Sequence, residues 1–466
     1  MMKKLRLYNS LSNSLEDFLP IDPDNVRIYV CGPTVYASPH IGNARPMVVF
    51  DVLFRLLKKL YTTVTYARNI TDVDDKINAR AREMGVSIGE LTEKVTAELH
   101  KNMARLNLLP VSHEPLATEH ISEMLDIVGR LVDKGFAYES HGHVLFRVRN
   151  APRYGLLSKR SLDAMIAGNR VEAAHYKEDP MDFVLWKPAE EGIPSWESPF
   201  GAGRPGWHLE CSAMSHKYLG ESFDIHAGGH DLMFPHHENE LAQNFGAFGK
   251  LMANYWLHNG MLLVDGQKMS KSLGNIISLE DILQRHNGEI IRYVLLSSHY
   301  QKTLNWNQSA ISQAIQSVNH LYGALKLADH QLEYATDSPQ EDENPVTEAL
   351  CGNLNTPLAL ARLRQMADEI YRCQDQNDVN RRCDRLRNEA EPLGLLWHSP
   401  REWFGQSKNL AISESEIADL MKIRDLAKIQ RNFKLADEIR DQLLAKNIQV
   451  EDAKDGSTWR VLADIP

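Results

Sequence analysis

With 466 residues, the chain is long enough for roughly two to four domains and a substantial core. Hydrophobic residues at 43% and charged residues at 24% set a globular balance, and no apolar run is long enough to span a bilayer. A formal net charge of −10 excludes a surface coated in positive charge for indiscriminate nucleic-acid binding, while leaving selective binding through local Lys/Arg clusters open. Five thinly spread cysteines argue against a disulfide framework and for thiols free to bind metal. The basic stretch Met1–Asn9 lacks the apolar core of a secretory signal, so a cytoplasmic location away from membranes is expected.

In chain order, Val26 to Cys31 alternates like a strand. The loop Gly32–Asn43 follows, then Ala44 to Leu60, where Val48, Val49, Val52, Leu53, Leu56 and Leu57 recur with helical spacing. In that loop His40 can hydrogen-bond a phosphate oxygen, Gly42 lets backbone approach a ligand, and Asn43 suits a helix cap. A second strand, Thr63 to Ile70, leads to Thr71-Asp72-Val73-Asp74-Asp75-Lys76, acids that complement a helix dipole. Amphipathic patterns over Ser87–Leu108 and Ala117–Lys134 read as packing helices. From about Glu114 to Arg204 the strand-helix alternation breaks, with a hairpin-like stretch His143–Arg149 and a Pro/Gly-rich run Pro188–Pro205. This is the pattern of an insertion between two halves of one sheet. Trp186, Trp196 and Trp207 border the run and suit core or interface anchoring. Trp207 stands closest to Cys211.

The sheet resumes at Ser222–Ala227 and reaches Phe234-Pro235-His236-His237-Glu238-Asn239-Glu240. Pro235 suits a first helical position. His236 and Glu240, four apart, share a helix face and can aim an imidazole and a carboxylate at one point; His237 has no such partner. A tetrahedral metal needs two more ligands. Cys31 and Cys211, each placed near a strand end where open parallel sheets build their sites, are the candidates. A helix start rich in His and Glu also serves as a solvated face, and the setting of the two cysteines is what favours metal. After the apolar Tyr255–Val264 comes Asp265–Asn275, with Lys268 and Lys271 between two glycines. A mobile loop closing on a polyphosphate has this make-up. Beyond Trp306 the pattern is helical without strands, including Ser309–Ala328 and Pro357–Arg372. Surface connectors fall at Asp337–Glu343 and Ser399–Glu414, and a basic patch at Arg381, Arg382, Arg385 and Arg387.

Pro39-His40-Ile41-Gly42-Asn43 early, Lys268-Met269-Ser270-Lys271-Ser272 late, and two sheet halves around an insertion resemble the class I aminoacyl-tRNA synthetases. With Gly206–Met214 and Phe234–Glu240 the chain looks like the cysteinyl-tRNA synthetase family, from Tyr29 to Arg460. That resemblance implies an α/β fold: a Rossmann-like parallel sheet split by an insertion, followed by an all-helical anticodon-binding domain and a small C-terminal domain. The boundaries expected are 1–113 and 206–305 for the two catalytic halves, 114–205 for the insertion, 306–400 for the helical domain and 401–466 for the C-terminal domain.

The resemblance also implies activation of cysteine by ATP with Mg2+, then transfer to the terminal adenosine of cysteine tRNA, by a chain expected to be a monomer. Positioning and charge stabilisation dominate such chemistry. His40, Gly42 and Asn43 would hold ATP; Lys268 and Lys271 would stabilise departing pyrophosphate. One Zn2+ on Cys31, Cys211, His236 and Glu240 would select the substrate thiolate against serine, making a separate editing domain unnecessary. Thr71, Trp207, His226 and Asp231 match positions around the substrate, and Asp437, Asp452 and Trp459 are candidates for reading unstacked anticodon bases. Two departures stand out. Asn43 replaces a frequent His and cannot titrate, and Gly352-Asn353-Leu354 stand where acidic residues are usual before Asn355-Thr356-Pro357. Two other readings share these features: an ATP-dependent ligase passing cysteine to a small amine, and an inactive tRNA-binding relative.

Overall fold

The computed structural model describes residues 4–161, 165, 174–270, 273–329, 344–405, 414–430, 432–446, 448–453 and 456–461. A short antiparallel hairpin, β1 (Arg6–Asn9) with β2 (Ser14–Asp17), precedes β3 (Asn25–Val30). Helix α1 (Ile41–Leu60) crosses to β4 (Thr63–Arg68), which pairs parallel to β3. The six aliphatic positions expected to face the core of α1 are all buried, and so are Arg45, Asp51 and Arg55. The helix is therefore enclosed on more than one face, and its charges must find partners inside.

Helices α2 (Asp75–Met84), α3 (Ile88–Arg105) and α4 (Ile121–Asp133) follow. Asp74 caps α2, accepting from the Lys76 N–H at 2.7 Å, and Ser87 with Glu90 forms a capping box on α3. Then comes a four-stranded antiparallel sheet of β5 (Ala137–Ser140), β6 (His143–Phe146), β7 (Phe183–Pro188) and β8 (Gly203–Pro205). Val144, Phe146, Leu185 and Trp186 fill its core. From β8 the chain enters α5 (Trp207–Leu219) through Gly206 alone.

The parallel sheet then resumes with β9 (Phe223–Gly229), α6 (Glu238–Phe248) and β10 (Ala253–Asn259), giving the strand order β10-β9-β3-β4, every pairing parallel. Near-continuous burial along β9 and β10 is what a sheet covered on both faces requires. Order reverses between β3 and β9, which creates the crevice at strand carboxyl ends where such sheets bind ligands. A three-stranded sheet follows: β11 (Leu262–Val264) pairs antiparallel with β12 (Gln267–Lys268) and parallel with β13 (Leu304–Trp306). Between β12 and β13 lie α7 (Leu279–Arg285) and α8 (Gly288–Leu296).

The remaining chain is α9 (Gln308–Leu325), α10 (Pro345–Cys351), α11 (Thr356–Arg372), α12 (Gln376–Ala390), α13 (Pro400–Gly405), α14 (Glu414–Ile429) and α15 (Phe433–Leu444). It ends in an antiparallel hairpin, β14 (Ile448–Ala453) with β15 (Gly456–Val461). The all-helical expectation after Trp306 thus omits this hairpin, whose Gln449, Val450 and Trp459 sit in a short segment easily read as coil. The cap of α11 is Asn355, accepting from Leu358 N–H at 3.2 Å. The expected basic patch is dispersed: Arg381 and Arg382 pair with Asp378, and Arg387 is buried. The connector Asp337–Glu343 lies outside the described residues.

Candidate active site and metal cluster

Four residues distant in sequence meet at the β3/β9 crevice. Cys31 follows β3, its N–H bonded to the Ala227 carbonyl of β9 at 3.1 Å. Cys211 lies in the second turn of α5, not at a strand end as expected: the stretch from Trp207 is helical because Gly206 ends the preceding strand and leaves a run of good helix formers. The other two come from the start of α6. Pro235 is not its first residue; Phe234 has extended backbone (φ −140, ψ 131), a kinked turn spans Met233–His237, and the regular helix begins at Glu238. Even so, His236 Nε2 lies 2.8 Å from Glu240 Oε1, because the non-helical Phe234 precedes both and residues four apart beyond it share a face.

The Sγ atoms of Cys31 and Cys211 are 3.5 Å apart, and Cys31 Sγ is 3.4 Å from Glu240 Oε1. One donor atom from each of the four lies within 4.8 Å of every other. Tetrahedral zinc with bonds of about 2.0–2.3 Å separates its ligand atoms by roughly 3.3–3.8 Å, so the two sulfur spacings fit a metal without a disulfide. His208 supplies the outer support. Its Nδ1 is 3.0 Å from His236 Nδ1, and burial holds His208 down at about 3, so the neutral ring accepts from the His236 Nδ1–H. That assigned tautomer leaves His236 Nε2 turned to the cluster. Trp207 stacks on His236, centroids 4.3 Å apart.

Protonation within the cluster is strongly partitioned. Burial raises the Cys31 thiol well above its usual range, reinforced by its hydrogen bond to Cys211 and by Glu240. Burial opposes ionisation of Cys211 as well, but the thiol donor of Cys31 and the neighbouring His236 bring it down to about 6. His236 is raised to about 10 against its own burial by Glu240 and Cys211. Glu240, flanked by His226 and His236, is held well below the usual carboxylate range despite burial. Binding a cation here therefore displaces protons chiefly from Cys31 and His236.

A second set overlaps the first: Cys31, His226, His237 and Glu240 also offer donors within 4.8 Å of one another. His226, expected beside the substrate, is fully buried on β9, with Nε2 3.5 Å from Cys31 Sγ and 3.0 Å from Glu240 Oε2. His237, read from sequence as lacking a partner, is buried with Nδ1 2.9 Å from His258 Nε2. Its spacing of three from Glu240 was the available signal. Thr71 is buried and donates to Glu210 Oε2 at 2.7 Å, while Asn69 Nδ2 donates to Thr71 Oγ1 at 3.1 Å. Glu210 and Asn69 carry no motif of their own and were not singled out from sequence. Asp231 is exposed on the turn after β9.

The loop before α1 forms the other half of the crevice. His40, not Asn43, is the cap residue of α1; Asn43 sits three residues in and accepts from the His40 N–H through Oδ1 at 3.0 Å. His40 Nδ1 is buried without a partner, and burial lowers the imidazole below its ordinary value, so a neutral ring is available for a hydrogen bond. The far end of the lysine loop is stitched to this segment: Ile41 N–H to the Ile277 carbonyl at 3.0 Å and Leu279 N–H to the Pro39 carbonyl at 2.9 Å. A Cβ on Gly42 would meet Met269 Cε at 2.6 Å and the His40 ring at 3.0 Å, so the end of the Met269 side chain and the imidazole both pack directly on the glycine. Lys268 is exposed on β12; Lys271 and Ser272 lie outside the described residues. Asp437 is exposed on α15, 3.4 Å from Arg440. Asp452 and Trp459 are on β14 and β15, opposite Ser457 and Val450, and their side chains lie outside the described residues.

A parallel sheet entered by His40–Asn43, closed by a lysine loop and backed by a thiol-rich cluster defines a class I aminoacyl-tRNA synthetase catalytic domain. The family model for the tRNA synthetases class I (C) catalytic domain matches residues 17–316. Among solved structures, methionyl-tRNA synthetase of Mycobacterium tuberculosis in complex with methionyl-adenylate has a TM-score of 0.57 at 15% identity, covering 79% of this chain and 89% of that one. A putative arginyl-tRNA synthetase from Campylobacter jejuni has a TM-score of 0.52 at 12% identity, covering 79% and 92%. Those likenesses establish the fold. Cysteine-tRNA ligase of Paramagnetospirillum magneticum is 50% identical over 459 residues, 98% of this chain and 99% of the relative. That of Gluconobacter oxydans is 50% identical over 458 residues, 98% of each. The chain belongs to the cysteine-tRNA ligase family.

Proposed function

We propose that the protein joins cysteine to ATP as cysteinyl adenylate, releasing pyrophosphate, and then transfers cysteine to the terminal adenosine of cysteine tRNA. The observation that carries this reading is the meeting of Cys31, Cys211, His236 and Glu240 at the same crevice that receives the His40–Asn43 helix start. Zn2+ held by those four residues would supply a soft acceptor that a thiolate satisfies and a neutral hydroxyl does not. Serine differs from cysteine by one atom, a difference that shape alone rejects weakly.

The chain's own residues do the rest. His40, as a neutral imidazole with a free nitrogen, hydrogen-bonds a phosphate oxygen of ATP, and Gly42 lets that phosphate and the lysine loop approach the helix start. Asn43 holds the His40 backbone and takes no part in proton transfer. Lys268 and Lys271 neutralise charge on the departing pyrophosphate, which travels with Mg2+. Thr71, whose hydroxyl hydrogen is committed to Glu210 and one lone pair to Asn69, keeps one lone pair that suits the substrate ammonium. His226 backs the thiol subsite, and Trp207 and Asp231 border its mouth. The helical segment 306–400 and the C-terminal segment 401–466 are the parts we assign to tRNA, with Asp437, Asp452 and Trp459 as candidates for anticodon contact.

Charging of purified cysteine tRNA with labelled cysteine, in the presence of ATP, Mg2+ and excess unlabelled serine, tests the reading. Cysteinyl-tRNA should form undiminished by serine. Cysteine-dependent pyrophosphate exchange without charging would instead mean a ligase for a small amine, and loss of both activities in folded, metal-loaded protein would mean an inactive relative.

A further inference from the structure

Arg45 lies two residues beyond Asn43, in the second turn of α1, and is 1% exposed. No carboxylate pairs with it among the described residues. Its guanidinium instead donates only to main-chain carbonyls: Nη1 to Gly260 and Met261, each at 2.6 Å, and Nη2 to Lys302 at 2.6 Å, with His299 and Tyr300 at 3.4 Å. A planar fork of fixed donors is suited to gathering several oxygens at once, which an ammonium on a flexible stem is not.

The two loops it gathers are also bonded to each other. Gly260 N–H donates to the Tyr300 carbonyl at 2.7 Å, and Leu304 N–H to the Met261 carbonyl at 3.0 Å. The fit leaves no room at Gly260, where a Cβ would come within 2.5 Å of the Lys302 carbonyl oxygen. Each loop is the root of a strand. From Met261 the chain runs into β11, turns, and forms β12 with Lys268; from Lys302 it runs into β13 and on to α9 of the helical segment.

The outer side of this carbonyl cage is held by Asn353, at the end of α10. Asn353 Oδ1 accepts from Tyr8 N–H at 2.8 Å and Tyr300 Oη–H at 3.0 Å, its Nδ2 donates to Gln301 Oε1 at 2.9 Å, and its carbonyl lies 3.0 Å from His299 Nε2. An aspartate there could not donate to Gln301, so the amide is matched to this junction.

We propose that Arg45 is a positioning residue for adenylate formation. By clamping the carbonyls of Gly260, Met261 and Lys302 to the helix that begins at His40, it fixes where the lysine loop hangs over the ATP phosphates. Asn353 ties the same cage to the helical segment, so the placement of that segment and of the lysine loop share one root. The inference rests on the cysteine-activating reading above and assigns it a residue that does not touch substrate.

The test is cysteine-dependent ATP–pyrophosphate exchange by the full-length, metal-loaded enzyme, with ATP and cysteine varied separately. Arg45→Lys keeps the charge and loses the fork. We expect kcat/KM for ATP to fall about 10- to 100-fold, as small misplacements of reacting groups do. KM for cysteine and metal content should stay close to those of wild type, since Arg45 touches neither the thiol subsite nor the cluster. Unchanged ATP kinetics in the variant, or a rise in KM for cysteine as large as that for ATP, would overturn the proposal. Should Arg45→Lys fail to fold, Asn353→Ala decides: a smaller loss in kcat/KM for ATP with KM for cysteine unchanged supports the clamp, and wild-type kinetics or a matching rise in KM for cysteine overturns it. Wild-type protein without cysteine-dependent exchange would defeat the activation reading itself rather than the role of Arg45.

Discussion

At the scale of single residues, the site is built from side chains whose ordinary behaviour is changed by burial and by one another. Cys211 is the clearest case, since burial alone would keep its thiol protonated and its neighbours reverse that. Cys211→Ser keeps the volume and removes the soft ligand. The expected result is loss of bound zinc by metal analysis and a collapse of cysteine-over-serine preference in pyrophosphate exchange. Gly42→Ala addresses the other half of the crevice. Its new Cβ would push aside the flexible end of Met269 and crowd the His40 ring, so kcat/KM for ATP should drop by about 10-fold or less with zinc content unchanged. Sequence revealed that His236 and Glu240 meet because helical periodicity is a local property. It left His237, Glu210 and Asn69 unassigned, because their partners His258, Thr71 and Gly32 are brought to them by the sheet and not by spacing.

At the scale of elements, buried charges join helices that share no sequence neighbourhood. Glu289, near the start of α8, accepts from the Leu396 N–H at 2.5 Å and the Tyr322 Oη–H at 2.8 Å. Burial raises its carboxyl from 4.5 to about 7, against these hydrogen bonds. Between those two values the folded chain holds a proton that the unfolded chain has released. Stability is therefore fully present below about pH 4.5 and declines as pH rises to 7, by up to about 3 kcal/mol. Glu289→Gln should flatten that slope in urea titrations run from pH 5 to 8, since the Tyr322 hydroxyl can turn to accept from the new amide. The elements themselves were legible where one periodicity ran long, as in α1, α3 and α9. The start of α6 was not, because Pro235 reads as a first helical residue; the extended Phe234 is what a residue before proline favours, but the regular helix begins only at Glu238. Cys211 was placed by a nearby strand pattern, whereas the helix that carries it begins earlier, directly after β8.

For the whole molecule, Asp51 is the point where α1, α8 and the loops at 107–109 and 391–393 converge. It pairs with Arg55 Nε at 2.8 Å and with Arg292, and accepts from Leu109 N–H at 2.8 Å; Arg55 also reaches Glu391 at 2.9 Å, and Arg292 Nε donates to the Leu393 carbonyl at 2.6 Å. Removing the carboxylate leaves the buried Arg292 guanidinium without its acidic partner and Arg55 with Glu391 alone, so Asp51→Ala should cost about 3–5 kcal/mol in denaturant unfolding. The parallel sheet, its interruption and the helical remainder were legible from alternating patterns and motif order. The Arg45 cage and the Asp51 hub were not, since each is a long-range arrangement of residues that look ordinary in the chain; the terminal hairpin is local, but its two short strands carry too little periodicity to stand out. What unites the molecule, on the proposed reading, is that a split sheet brings the His40–Asn43 helix start, to receive ATP, and a thiol-rich cluster, to hold zinc, to one crevice.

The most direct test of that claim is to load the protein with Co2+ in place of zinc and record its thiolate-to-metal absorption while cysteine, then serine, is added. The account expects the band to change with saturable cysteine and to stay fixed with serine at the same concentrations. No change with cysteine, in protein that binds one Co2+ and remains folded, would contradict it.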